Sequence, residues 1–136
     1  MADQMVNDTD RIYFAGFFDG EGTVAIYPKK YAVSFSNTDK WQIERARELW
    51  GGSITYQDRL SYKRIWRWSV YGVNSRKFLE DILPYVLTKK SQIEVYLTVL
   101  DALPEKRQGR RGYESKIRET INAGASRLRL LKQGVA

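Results

Sequence analysis

The sequence has neither cysteine nor histidine. Without thiols, no disulfide and no thiolate metal site can form. Without imidazole, most zinc sites are excluded, and so is histidine acid–base chemistry. Any catalysis must use carboxylates, Lys, Arg, Tyr or a bound metal. No apolar run is long enough to span a bilayer and no secretory leader is evident. A soluble intracellular protein with no membrane partner is therefore expected, with bacterial, phage and organellar compartments indistinguishable. No acidic motif is repeated, and no basic residue lies between Arg11 and Lys29. What is present is 136 residues, enough for one domain with a real core.

The net charge of +7 is unevenly spread. Residues 1–28 hold five acids against Arg11, while residues 29–136 carry a net +11. A basic body around a small acidic focus suits a polyanion held over a metal ion. Ordinary solubility charge is the plainer alternative.

The acidic focus falls in Tyr13-Phe14-Ala15-Gly16-Phe17-Phe18-Asp19-Gly20-Glu21-Gly22. Asn7, Asp8, Thr9 and Asp10 are N-cap candidates before it, and Gly20 and Gly22 end it, giving a helix over about 10–19. Its nearly all-apolar interior calls for burial. Gly16 and Gly20, with Ala15 alongside, have the spacing that lets two helix backbones approach closely. The end is unusual. A helix C-terminus favours Lys or Arg, yet this one finishes with Asp19 and Glu21. A hard divalent cation held by carboxylate and carbonyl oxygens would compensate; a solvated acidic turn is the alternative.

Residues 23–27 and 31–37 alternate as a β-hairpin around Pro28-Lys29-Lys30. Val24, Ile26, Val33 and Phe35 should face the core. Thr23, Ala25, Tyr27, Ser34 and Ser36 should face outward. Thr38 or Asp39 caps a helix to about Trp50, with an apolar stripe of Trp41, Ile43 or Ala46, Leu49 and Trp50, stopped by Gly51-Gly52. Residues 53–57 and 64–71 are further strands, the second with Trp66, Trp68 and Val70 inward and Arg67 and Ser69 outward. Asn74 or Ser75 caps a helix bearing Phe78, Leu79, Ile82 and Leu83, ended near Pro84. Another helix runs from about 90 to 103 with Ile93, Tyr96, Leu97 and Leu100 on one face. Residues 105–112 read as a basic linker, and 113–132 as a basic helix. The division is a core over 1–104 and a basic appendage over 105–136, in the α+β class. An antiparallel ribbon can enter the DNA major groove. Arg59, Lys63, Arg64 and Arg67, with Gln57, Ser34 and Ser36 and with Lys29 and Lys30 at the hairpin tip, are the candidate DNA contacts, since Arg pairs with guanine and Gln with adenine. An ordinary solvated sheet face is the alternative.

The stretch Phe14-Ala15-Gly16-Phe17-Phe18-Asp19-Gly20-Glu21-Gly22 resembles the signature of the LAGLIDADG homing endonucleases at all nine positions. Phe replaces aliphatic residues and Glu replaces the second acid, lengthening that ligand by one methylene. The likeness continues through the ββα spacing and Pro84-Tyr85 to about residue 104. It implies an αββαββα core with a four-stranded antiparallel DNA-binding sheet and additional C-terminal helices. It also implies a homodimer through Ala15, Gly16, Asp19 and Gly20, because one chain supplies one motif. By position, Glu21 with the Gly20 carbonyl binds the metal, and Asp19 caps and braces. Asn37, in Ser36-Asn37-Thr38-Asp39, orients active-site water. Lys89, or its neighbour Lys90, lies near the scissile phosphate. A further basic residue is Arg45 or Arg47. The implied activity is Mg²⁺-dependent cutting of both strands of a long, near-palindromic duplex site, with Mn²⁺ or Ca²⁺ able to occupy the metal position. An intron-RNA-binding maturase and a non-cleaving DNA-binding regulator are the alternatives.

Overall fold

The computed structural model describes residues 5–28, 30–104 and 115–134. Lys29 and the expected 105–112 linker lie outside the described residues. Helix α1 spans Asp8–Glu21. Of the four cap candidates Asn7 does the capping: its Oδ1 accepts the Asp10 N–H at 2.8 Å, and Asp8 and Asp10 complement the positive helix end. The chain continues as β1 (Gly22–Tyr27), β2 (Lys30–Asn37), α2 (Lys40–Trp50), β3 (Ser53–Arg59) and β4 (Tyr62–Tyr71). After a 3₁₀ turn come α3 (Arg76–Ile82), a second 3₁₀ turn at Leu83–Tyr85, α4 (Lys90–Ala102) and α5 (Ser115–Lys132). The architecture is the expected α+β arrangement, with helices on one face of an antiparallel sheet.

The sheet order is β1-β2-β4-β3. Pairings such as Val24↔Val33, Phe35↔Trp68 and Val33↔Val70 put the apolar set of each strand on one face. Val24, Ile26, Val33, Phe35, Trp68 and Val70 are all buried there, as alternation requires. Aromatic rings fill the space beneath the helices. Trp68 lies 4.9 Å from both Phe35 and Phe78, and Phe14 stacks 5.9 Å from Phe35. The turn into β3 uses Gly51 at φ 74° and Gly52 at φ 91°. A Cβ on Gly52 would sit 2.6 Å from the Ser69 carbonyl, so glycine is required there twice over.

Three local expectations change. Trp41 is not in the core stripe of α2 but 55% exposed, and the inward face is Ile43 and Ala46. Ser75 stands at the N-cap of α3, but its side chain makes no capping hydrogen bond: it is buried, 2.8 Å from the Tyr96 hydroxyl. Burial pushes that phenol up to about 12, the Ser75 hydrogen bond pulling the other way. Val99 joins Ile93, Tyr96 and Leu100 as the buried face of α4, while Leu97 is only half-buried. Helix α5 packs Ile121 and Leu128 into the same core. Its Gly124 meets α4 so closely that a Cβ would overlap the Val99 side chain. No helix of the described residues is long and apolar enough to cross a membrane.

Candidate active site

The C-terminal end of α1 is closed by exchange with the segment that leads into α4. No basic residue stands in the last turn of α1, and no acid stands in the first turn of α4. Each helix end supplies what the other lacks. The Asp19 carboxylate accepts the Leu87 N–H at 2.8 Å and the Lys89 N–H at 3.0 Å. In return the Lys89 ammonium donates to the Asp19 carbonyl at 2.6 Å. A carboxylate thus meets free amides at a helix start, and a cation meets free carbonyls at a helix end. Burial pushes Asp19 upward, but hydrogen bonds from Leu87, Lys89 and Thr88 outweigh it, and the carboxyl lies below its ordinary pKa.

Glu21 is left out of this exchange. It is exposed, and among the described residues no hydrogen bond or ion pair engages its carboxylate. The following Gly22 is fixed by packing, since a Cβ there would overlap the Phe18 ring. Among the described residues no group of three or more Asp, Glu, His or Cys side chains gathers anywhere.

The other catalytic candidates separate. Lys89 is docked at the α1 end, whereas Lys90 is exposed on α4. Arg45 reaches Asp10 at 3.1 Å, near the opposite end of α1 and about 16 Å along the helix from Glu21 at 1.5 Å per residue. Arg47 is exposed on α2. Asn37 turns toward α2: its Oδ1 accepts the Thr38 N–H at 2.8 Å, and its Nδ2 donates to Gln42 at 3.4 Å. Gln42 in turn donates to the Tyr13 hydroxyl at 3.0 Å.

The open face of the sheet carries Lys30, Ser34, Ser36, Gln57 and Arg67, set by the same alternation that buries the core, while Lys63 falls within the register shift near the hairpin end. Ser36, Thr55, Gln57 and Arg67 line a shallow groove, with Arg67 Nε 3.3 Å from Ser36 Oγ. Arg64 is a correction. It shares the parity of Trp66, Trp68 and Val70, so it lies on the helix-bearing face at the end of the hairpin. There it pairs with both Asp58 oxygens, at 2.6 and 3.2 Å, and stacks 3.9 Å from the Tyr56 ring centroid. Arg59 stands beyond a register shift, 5.5 Å from the Tyr62 ring centroid.

Residues 8–83, more than half of the chain, match the family model of the LAGLIDADG-like domain. The chain belongs to the LAGLIDADG family. Among solved structures, the homing endonuclease I-CvuI in complex with the I-CreI target is similar at TM-score 0.71 and 18% identity, over 90% of this chain and 82% of that one. The archaeal intron-encoded I-Vdi141I, complexed with DNA, matches at TM-score 0.58 and 18% identity, over 93% of this chain and 99% of that one. I-GzeII with its DNA target matches at TM-score 0.61 and 14% identity, over 93% of this chain but 44% of that one. Among curated proteins no match is found.

In this LAGLIDADG chain the motif helix has two unlike faces. Phe14, Ala15 and Phe18 are fully buried in the protomer. Ala15 therefore cannot form an intersubunit contact, which corrects its expected place. The 87–89 hydrogen bonds likewise engage Asp19 within its own protomer. On the other face Ile12 is 54% and Tyr13 41% exposed, and Gly16 and Gly20 have open space where a Cβ would stand. At 100° per residue these four occupy a stripe about 100° wide. The exposed Trp41 borders it, edge-on to Tyr13 at 5.4 Å.

Sequence reasoning misses one neighbour of the site. Lys132, near the end of α5, donates from Nζ to the Val24 carbonyl in β1 at 2.6 Å. The basic character of that helix is legible in the chain; the contact, 108 residues away in sequence, is not.

Proposed function

We propose that this protein is a homodimeric, divalent-metal-dependent homing endonuclease that makes a double-strand break at one long, near-palindromic DNA site. The observation that carries the reading is Glu21, an exposed and unpartnered carboxylate at the negative end of a helix, two residues from the carbonyl that holds Lys89. Such a placement is unfavourable in an isolated protomer. The donors present, the Glu21 carboxylate and the Gly20 carbonyl, are hard oxygens, and the chain has no Cys or His to favour a softer metal. Mg²⁺ fits this donor set, with Mn²⁺ or Ca²⁺ as substitutes. Once bound, such an ion lowers the pKa of coordinated water and stabilises a leaving 3′ oxygen.

The chain's own residues then have separate tasks. Lys89, fixed on the Asp19 carbonyl, offsets negative charge gathering on the phosphate. Asp19 positions Lys89 by gripping the backbone on either side of Thr88. Asn37 orients solvent through Nδ2, whose hydrogen bond to Gln42 is long at 3.4 Å. Lys30 and Arg67 bind and read the duplex from the open face of the sheet, with Gln57, Ser34 and Ser36 between them and Lys63 near the hairpin end.

Gly16 and Gly20 support the dimer. Each costs the helix roughly 0.5–1 kcal/mol relative to alanine, and nothing among the described residues requires either. A second copy packed on this stripe gives them a purpose and brings two Glu21 side chains together, one for each DNA strand. Such a dimer carries twice the +7 of one chain, and with six to ten phosphate contacts its affinity should fall roughly 10³–10⁵-fold between 50 and 200 mM salt. That I-CvuI, I-Vdi141I and I-GzeII were solved with DNA supports duplex DNA as the partner. Selection of cleaved molecules from a random duplex library with Mg²⁺ tests the reading. A single enriched site with near-twofold symmetry is expected. Binding of an intron RNA with no nicking of any duplex would replace it with the maturase reading.

A further inference from the structure

We infer that Lys132, contributed by the C-terminal helix, forms with Lys89 a two-ammonium seat for a DNA phosphate beside Glu21, making α5 part of the cleavage site. The inference rests on the endonuclease reading above and concerns a segment outside the matched residues 8–83.

The two lysines arrive from different directions. Lys89 is held by the Asp19 carbonyl at the last turn of α1, and Lys132 by the Val24 carbonyl three residues past Glu21, each at 2.6 Å. α5 reaches β1 because Gly124 lets it pack tightly on α4 and because Ile121 and Leu128 enter the core. β1 is an edge strand, so its outer carbonyls are open to such a donor. Among the described residues neither lysine forms an ion pair with a carboxylate. The hydrogen bond that anchors each ammonium goes to a neutral carbonyl. The charges also feel one another: Lys132 lies below its ordinary pKa, through burial first and the positive charge of Lys89 second. The Asp19 carboxylate near Lys89 is already engaged by the Leu87 and Lys89 amides, so the two repelling ammoniums keep N–H donors that an anion would accept. Lys132 remains exposed and keeps donors beyond the one that Val24 accepts. A phosphodiester supplies the anion, with acceptor oxygens that both lysines can share.

The test uses the full chain and a duplex that the wild type cuts. Lys132→Met should lower the single-turnover cutting rate at saturating protein by ten-fold or more, and Lys132→Arg should restore most of it. With metal chelated, the slope of log affinity against log salt should become shallower by about 0.9 for every phosphate that the variant leaves without a cation. A merely structural role for the Val24 hydrogen bond would lower the melting temperature and leave that slope unchanged. Acylation of wild-type lysines followed by mass spectrometry gives a reading independent of variant folding: Lys132 should be protected when the duplex binds. Equal reactivity with and without DNA, or Lys132→Met cutting at the wild-type rate with an unaltered slope, would overturn the inference while leaving the endonuclease reading intact. A wild type that binds no duplex would remove both.

Discussion

The two ends of α1 are built on opposite plans. At the N-terminal end the charges find partners inside the protomer. Asn7 caps the helix, Asp10 pairs with Arg45 at 3.1 Å, and Arg11 reaches Asp8 at 2.9 Å and the buried Asp81 at 3.4 Å. Asp81 also takes the Trp50 indole N–H at 2.9 Å and the Lys77 ammonium at 2.8 Å. At the C-terminal end only Asp19 is satisfied. Glu21 faces solvent, Lys89 and Lys132 are anchored on carbonyls rather than ion-paired, and two glycines open a stripe that the described residues do not fill. The first end is finished by folding, and the second is left for a partner copy, a cation and a nucleic acid. Changes at the first should therefore cost stability, and changes at the second should cost assembly and chemistry.

The largest effect is expected from Gly16→Leu. A bulky side chain on the open stripe should convert dimer to monomer in sedimentation at micromolar concentration and remove double-strand cutting, with the protomer still folded by circular dichroism. A dimer that persists would move the interface elsewhere. Lys89→Met comes next. Removing one preorganised charge at a developing oxyanion costs about 10²–10³-fold in rate, and quench-flow cutting assays at saturating protein should show it. A smaller effect at the finished end sharpens the contrast. Asp81→Leu strands the Trp50 N–H and two cations, at a cost of about 1–3 kcal/mol in urea unfolding, while folded molecules cut normally. The smallest is Asn7→Ala, about 1 kcal/mol from removal of the cap.

Acid should act through Asp81 as well. Burial pushes its carboxyl upward, but the Lys77 and Trp50 hydrogen bonds, the Lys77 charge and Arg11 outweigh it, so the folded pKa lies below the ordinary value. Its stabilisation is present above the unfolded pKa of about 4 and is lost as pH falls through the lower folded value. The stability gap between wild type and Asp81→Leu should thus be constant above about pH 5 and close below about pH 4.

Much of this is legible in the chain. Strict alternation places Val24, Ile26, Val33 and Phe35, Gly51-Gly52 marks where α2 stops, and Gly22 rather than Gly20 marks the end of α1, which runs on to Glu21. The motif itself locates Glu21. Local pattern fails where long-range packing decides. Charge alone groups Arg64 with Arg67, yet its parity with Trp66 and Trp68 puts it on the other face. Ala15 sits one residue, and so about 100° of helix rotation, away from Gly16, enough to move it from the stripe to the core. Trp41 looks like core by composition and is instead the exposed border of that stripe. The exchange between Asp19 and Lys89 spans 70 residues, and the Lys132 contact spans 108. No periodicity encodes contacts of that range.

If Glu21 stands unpaired because catalysis needs it, Glu21→Gln is the variant that shows it most plainly. Binding and cutting of one selected duplex should be measured with the variant and wild type side by side, in Mg²⁺. Binding within a few-fold of wild type and no detectable cutting are expected. Cutting by Glu21→Gln at the wild-type rate would contradict a metal-binding role for this carboxylate.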